Sequence, residues 1–283
     1  MKVIGGSTSK ETAGELASLL HVPMVESITK RFPDGELYLR IMSDVSGDDV
    51  VVVQNTYPDS SIIELLLLLN AVREAGGGRI ITVIPYLGYA RQDRRFNEGE
   101  PVSAKAIAEA ISVNADEVIT IDPHKDYILD FFDIPSRSVS AVPLIADYLK
   151  DLNIELVLAP DKGALSRVEE AASILNCEYD YLEKTRVDAT TILLSPKKLD
   201  VEGKKVVILD DIISTGGTMA KAIEELNKQG AEEVYAACTH GLFIGNAVEK
   251  LKSARCVDIV ATDTLPNPFS KVKTASLIAP LLT

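Results

Sequence analysis

The sequence predicts an α/β protein of two domains, each a mainly parallel sheet flanked by helices. Three observations carry that reading. Apolar runs rich in Val and Ile alternate with longer segments of helical period, the pattern of a parallel sheet covered on both faces. The chain has 283 residues, 46% of them apolar, enough for one large core or two medium ones, and the length favours two. The stretch IPSRSVSAVP at 134–143 is polar and bounded by prolines, which suits a crossover between halves. The domains are therefore expected at 1–138 and 139–283.

In chain order, the amino end MKVIGGSTSKETAG reads as a strand followed by a helix start and lacks the apolar core of a signal peptide. Strands are expected at 3–5, 50–54, 79–85 and 117–122, with helices near 10–20, 62–75 and 103–112. The most hydrophobic stretch, IIELLLLLNAV at 62–72, carries Glu64 inside it. It is too short to span a bilayer and reads as a buried helix. The second half repeats the rhythm with strands at 155–159, 205–210, 233–238 and 257–261, and helices near 142–152, 165–175, 218–229 and 246–253. Both halves place a loop after a β-rich run, VIPYLGYARQDRR in one and VVILDDIISTGGT in the other, which makes a common ancestor plausible.

A net charge of −13 opposes a nucleic-acid partner, because the average field would repel a phosphate backbone. A polyanionic ligand needs a local basic cluster instead. The cysteines, Cys177, Cys238 and Cys256, stand far apart and form neither a CxxC pair nor a zinc spacing, which fits a reducing, cytoplasmic setting without a membrane partner.

The strongest local signal is VVILDDIISTGGTM at 206–219: an apolar strand ending in two carboxylates, then a turn of small residues, then a helix. Ser214, Thr215, Gly216, Gly217 and Thr218 lack bulk, so the backbone can fold tightly and aim several N–H groups at one anion at the helix N-terminus. Asp210 and Asp211 repel a phosphate but can hold sugar hydroxyls or a metal at the carboxyl end of the strand. An ordinary N-capped helix is the competing reading. Walker A is excluded for want of its lysine, and GxGxxG is absent. The segment resembles the ribose-phosphate loop of type I phosphoribosyltransferases.

Two segments of the first half add charge and an aromatic ring. YARQDRR at 89–95 concentrates three arginines in an acidic chain directly after a strand. Arg91 can grip a polyphosphate, and Gln92 offers donor and acceptor to a base; a solvated loop is the alternative. In RFPDGE at 31–36, Phe32 can stack on a purine while Asp34 or Glu36 accepts from its exocyclic amine. The plain alternative is a hairpin turn through Pro-Asp-Gly.

Taken in order, FPDGE, YARQDR, DPH and DDxxxTGGT closely resemble the ribose-phosphate pyrophosphokinase family over nearly the whole chain. The resemblance implies two phosphoribosyltransferase-type domains and transfer of the β,γ-pyrophosphoryl group of ATP to the C1 hydroxyl of ribose 5-phosphate, releasing AMP. It implies Mg2+ as cofactor, with His124 and Asp161 as metal positions, of which Asp161 is the more natural magnesium ligand. It assigns Phe32, Asp34, Gly35, Glu36, Arg91, Gln92 and Asp93 to ATP. Asp210, Asp211 and residues 214–218, with Arg186, go to ribose 5-phosphate, and Lys184 with Arg186 to catalysis on a closing loop. Homo-oligomers are common in the family. Two departures are visible: Arg94 and Arg95 stand where lysines are common, and 188–198 is apolar enough that part of it is expected as a strand. The rivals are a phosphoribosyltransferase, which leaves RFPDGE, YARQDRR and IDPHK unexplained, and a non-catalytic regulatory homologue, which leaves His124, Asp161, Lys184 and Arg186 unexplained.

Overall fold

The Val and Ile runs become parallel strands. The computed structural model describes residues 1–186, 192–195 and 200–283, of which residues 183–186 and 192–195 are described by their backbone. The chain divides into two units. The first comprises Met1–Ser140, Thr264–Pro266 and Thr274–Thr283. Its elements are β1 (Lys2–Gly5), α1 (Lys10–Leu20), β2 (Ser27–Arg31), β3 (Leu37–Ile41), β4 (Val50–Val53), α2 (Asp59–Glu74), β5 (Ile80–Ile84), α3 (Ser103–Ser112), β6 (Glu117–Ile121) and β7 (Ser136–Val139). The second comprises Ala141–Asp263 and Asn267–Lys273. It contains α4 (Val142–Leu149), β8 (Leu156–Ala159), α5 (Leu165–Leu175), β9 (Glu178–Tyr181), β10 (Glu183–Arg186), β11 (Ile192–Ser195), β12 (Lys205–Ile213), α6 (Gly217–Lys228), β13 (Glu233–Gly241), α7 (Ala247–Ser253), β14 (Ile259–Thr262) and β15 (Ser270–Val272). A short α8 (Ala275–Ile278) returns to the first unit. No helix among the described residues is long and apolar enough to cross a membrane.

The first sheet has the order β1-β4-β5-β6-β7, every pair parallel. One face, including Val50, Val52, Ile80 and Val118, packs against α2 and α3. In α2, Leu65, Leu68, Leu69 and Val72 are fully buried, the i, i+3, i+4, i+7 stripe that helical period requires. Each such side chain contributes roughly 2 kcal/mol of transfer free energy. Val3, Val51 and Val53 on the other face are also fully buried; α1 covers that face and α8 packs on α1. The antiparallel hairpin β2–β3, whose turn is the plain reading of RFPDGE but whose strands are not in the expected set, pairs Arg31 with Leu37 and lies on α2 through β3.

Glu64, the charge inside the apolar run, is almost fully buried. Its carboxylate accepts hydrogen bonds from the Ser7 amide at 2.9 Å, the Ser7 hydroxyl, the Gln54 amide at 3.0 Å and the Thr29 hydroxyl at 3.3 Å. Gly6 lacks a side chain because a Cβ there would lie 2.4 Å from the Gln54 side chain. Donors from β2 and from the ends of β1 and β4 therefore converge on one helix position. Glu64→Leu strands these donors, which costs about 3 kcal/mol. A fall in Tm of about 5–10 °C is expected in thermal unfolding, and an unchanged Tm would show that the network contributes nothing.

The second sheet has the order β15-β14-β13-β12-β8-β9 and is parallel throughout. From β8 the chain first moves to the edge at β9, then returns to enter β12 on the opposite side of β8. Successive connections thus leave in opposite directions between β8 and β12, which opens a crevice beyond their carboxyl ends. The first sheet advances in one direction from β1 to β7 and has no such reversal. By sheet position β4 matches β12, so the counterpart of the DDIISTGGT loop is the turn after β4. YARQDRR, paired with it on sequence rhythm, follows β5 instead.

Candidate functional site

At the switch point, carboxylates stand at the carboxyl ends of two neighbouring strands. Across β12 and β8, Ile208 lies opposite Leu158; three residues further along each chain stand Asp211 and Asp161. Asp161 accepts from the Gly163 amide at 2.9 Å, which starts a 3-10 turn leading into α5. Asp211 is buried, and its amide donates to Asp210 Oδ1 at 2.9 Å. Burial pushes the Asp210 carboxyl well above the usual carboxylate range, and the charge and hydrogen bond of Asp211 raise it further. Arg167, in the first turn of α5, acts in the opposite direction.

The turn beyond β12 has the geometry of an anion cup. Gly216 caps α6 with φ 69°, a left-handed conformation that favours glycine. A Cβ there would also lie 3.0 Å from the Ala247 carbonyl oxygen and 3.2 Å from its Cα. At Gly217 a Cβ would meet nothing within 4 Å, so that glycine leaves space open at the helix start. The carbonyl of Ile213 accepts from the Leu242 and Phe243 amides at 3.0 and 3.1 Å, that of Ser214 from the Ile244 amide at 2.9 Å, and that of Gly216 from the Ala220 amide at 2.8 Å. A trans peptide points its C=O and N–H in opposite directions. Holding the carbonyls against the protein therefore turns the following amides outward, where a helix start has no intrahelical acceptors. Ser214 is half-buried; Thr215 and Thr218 are exposed.

In the first unit, the turn at 32–36 joins β2 to β3. Phe32 and Gly35 close it through amide bonds to the Glu36 and Phe32 carbonyls, both at 2.9 Å. Gly35 takes φ 94°, the Arg31 guanidinium donates to its carbonyl at 2.8 Å, and the Asp34 carboxylate accepts the Glu36 amide at 3.1 Å. Phe32 remains 49% exposed, its ring edge-on to Tyr38 at 5.9 Å. The segment is thus a hairpin turn that also presents an aromatic face and two carboxylates.

The loops after β5 and β6 leave through left-handed residues, Tyr89 at φ 62° and Asp122 at φ 37°. Arg91 is exposed. The Gln92 carbonyl accepts the Ala104 amide at 3.2 Å and its side-chain oxygen accepts the Ser103 hydroxyl, so Gln92 fastens the start of α3 and keeps its amide nitrogen as the group for a ligand. Asp93 accepts the hydroxyl of Tyr127, which raises that phenol's pKa. Tyr127 stands three residues beyond the half-buried His124, so this bond links the YARQDRR and DPHK loops. No hydrogen bond or ion pair among the described residues joins Phe32, Asp34 or Glu36 to Arg91 or Gln92.

Lys184 and Arg186 lie on β10, opposite Leu194 and Ile192 of β11. The strand expected within 188–198 appears at Ile192–Ser195. The side chains of Lys184 and Arg186, and positions 187–191 and 196–199 of the expected loop, lie outside the described residues. Arg167, Tyr127 and Lys250, whose Nζ reaches the Thr215 carbonyl, were not found from sequence; each acts across the fold on a motif distant in the chain.

Among the described residues no group of three or more His, Cys, Asp or Glu side chains could hold a metal alone. The donors at the switch point are hard carboxylate oxygens, and Mg2+ commonly takes one or two of these and completes its shell with water and substrate phosphates. The donor set fits a magnesium ion that arrives with its substrate.

Comparison with known proteins agrees with this arrangement. Residues 1–114 match a family model described as the N-terminal domain of ribose phosphate pyrophosphokinase, and residues 140–271 match a phosphoribosyl transferase domain. The chain is 41% identical over 282 residues to a ribose-phosphate pyrophosphokinase of Methanothermobacter thermautotrophicus, covering 99% of both chains. It is 44% identical to one of Pyrococcus furiosus, covering 98% of this chain and 99% of the relative. A crystal structure of phosphoribosylpyrophosphate synthetase from Mycobacterium smegmatis superposes with TM-score 0.87 at 28% identity, covering 99% of this chain and 97% of that one.

Proposed function

Because the chain belongs to the ribose-phosphate pyrophosphokinase family, we propose that it transfers the β,γ-pyrophosphoryl group of ATP to the C1 hydroxyl of ribose 5-phosphate, giving 5-phosphoribosyl 1-pyrophosphate and AMP for nucleotide biosynthesis. The observation that carries this is full-length similarity to proteins of that name. The phosphoribosyltransferase and non-catalytic alternatives gain no support from it. Mixing the protein with Mg2+, ATP and ribose 5-phosphate should yield AMP and 5-phosphoribosyl 1-pyrophosphate in equal amounts; ADP as product would refute the reading.

The division of labour is as follows. The amides and hydroxyls of Ser214, Thr215, Gly216, Gly217 and Thr218 hold the 5-phosphate, with Arg186 contributing charge, and Asp210 and Asp211 accept from ribose hydroxyls. ATP uses the hairpin turn, where Phe32 stacks on the purine, Gly35 lets the turn close, and Asp34 and Glu36 accept from the base amine. Arg91 takes the polyphosphate and the Gln92 amide nitrogen donates to the nucleotide, while Asp93 keeps their loop tied to Tyr127. Lys184 and Arg186 neutralise charge on the transferring group. Mg2+ would be held at two positions, one at His124 with the phosphates of ATP and a second at Asp161 near the ribose, and would supply charge neutralisation. The protein works as a cytoplasmic homo-oligomer without nucleic acid or membrane partners.

A proton balance follows from the raised Asp210 carboxyl. Ligand hydroxyls and a cation favour the ionised pair, so binding lowers its pKa again and expels the proton held in the empty site. Calorimetry of ribose 5-phosphate with Mg2+ near neutral pH should show an enthalpy that varies with buffer ionisation heat in the sense of proton release. The same heat in every buffer would contradict it.

A further inference from the structure

The peptide planes of the cup are not all secured by the same kind of contact. Those that begin at Ile213, Ser214 and Gly216 are pinned by main-chain amides. The plane between Thr215 and Gly216 instead has its carbonyl bound by a side chain, Lys250 Nζ at 3.2 Å. Lys250 belongs to the last turn of α7, and the same helix brings Ala247 against Gly216.

This plane borders a glycine and, unlike the neighbouring planes at Ser214 and Gly216, its carbonyl is tied to a side chain and not to a main-chain amide. Rotating it changes ψ of Thr215 and φ of Gly216, and glycine populates positive and negative φ about equally. Reversing the plane would turn the Thr215 carbonyl oxygen into the cup in place of the Gly216 amide, exchanging a donor for a partial negative charge beside an anion. We propose that Lys250 is a positioning residue for the phosphate cup: it holds the Thr215 carbonyl outward and thereby keeps the Gly216 amide aimed at the 5-phosphate. Its ammonium also places positive charge behind the cup, but the geometric effect requires only a donor at that point, which arginine also supplies.

The proposal rests on the assignment of this cup to the 5-phosphate, so two variants are needed. Gly217→Val tests the assignment, since its Cβ meets nothing within 4 Å and the side chain would fill the cup. Lys250→Met tests the positioning role. Steady-state kinetics should show KM for ribose 5-phosphate raised about tenfold in Lys250→Met, the worth of one well-aimed hydrogen bond to a charged group. Its kcat and KM for ATP should stay near the parent values, and Lys250→Arg should recover most of the loss. In amide NMR, the Gly216 resonance should shift on adding ribose 5-phosphate in the parent and in Lys250→Arg but not in Lys250→Met. If Gly217→Val weakens ribose 5-phosphate and Lys250→Met does not, the positioning role is wrong and the cup assignment stands. If Gly217→Val leaves KM unchanged, both fall.

Discussion

Lys184→Ala is expected to lower kcat by about three orders of magnitude, the scale on which loss of one preorganised charge-stabilising group is felt. KM for ribose 5-phosphate should change little, because the cup at 214–218 and the Asp210–Asp211 pair do not include it. Phosphoryl-type transfer asks the protein for positioning and charge neutralisation rather than covalent help. A cation that acts as charge develops therefore appears in kcat and not in ground-state binding. Arg186, on the same strand, serves both binding and charge neutralisation in the proposed scheme. Its removal should raise KM as well as lower kcat, and the double variant should lose less than the sum of the two losses, as groups that act as a unit do. Single-turnover measurement of AMP formation separates chemistry from release, and near-normal turnover by Lys184→Ala would remove it from catalysis.

The parts of the fold that were legible in sequence are those whose side chains face a single kind of environment. β4, VVVV, is buried at every position, as are β5, β6, β8 and β14, and a strand covered on both faces is a continuous apolar run. The strands that escaped are edges or ribbons. In β2, SITKR, and β3, LYLRI, every residue is half-buried or exposed. β7, β9 and β15 lie at sheet edges and carry the polar residues that edge strands tolerate. The return of the last ten residues to the first unit has no local signature, since it depends on what α1 leaves uncovered.

The site divides in the same manner. The DDIISTGGT turn was legible because strand, carboxylates, glycines and helix start are consecutive, and the tight φ of Gly216 is a local demand. The groups that tune it are not consecutive with it. Arg167 approaches Asp210 only because β8 and β12 are neighbours, and Lys250 reaches Thr215 from 35 residues away. Sheet order also explains why the two units are not functional copies. In the proposed scheme the reversal between β8 and β12 offers the crevice for the sugar phosphate, whereas the position of β12 in the first sheet is taken by β4, whose following Gln54 is engaged with Glu64. In the proposed scheme the nucleotide contacts of that unit come instead from the β2–β3 hairpin and from the loops after β5 and β6.

Asp210→Asn should move stability and activity in opposite directions. In the folded, ligand-free protein the Asp210 carboxyl titrates well above its ordinary value because burial and Asp211 disfavour its charge. A carboxyl whose folded pKa is raised binds its proton more tightly folded than unfolded. Its contribution to stability is fully present below the unfolded pKa of about 4 and is lost as pH rises through the folded pKa. Asparagine removes the charge at every pH. The variant should therefore match the parent near pH 4 and exceed it increasingly as pH rises toward 8, which thermal unfolding at the two pH values would read as a Tm gap that opens with pH. Catalysis should respond the other way. The ribose hydroxyls lose an anionic acceptor, and a charge-assisted hydrogen bond is worth roughly twice a neutral one. The amide also presents a donor where the ligand presents donors, leaving a buried polar mismatch. A loss of about 10³ in kcat/KM for ribose 5-phosphate is expected, with KM for ATP little changed, and the buffer-dependent heat of binding should shrink because the proton it reports is gone. A variant that gained no stability at pH 8 would mean that Asp210 is accommodated as an anion in the empty site. One that kept its affinity for ribose 5-phosphate would take Asp210 out of the sugar site altogether.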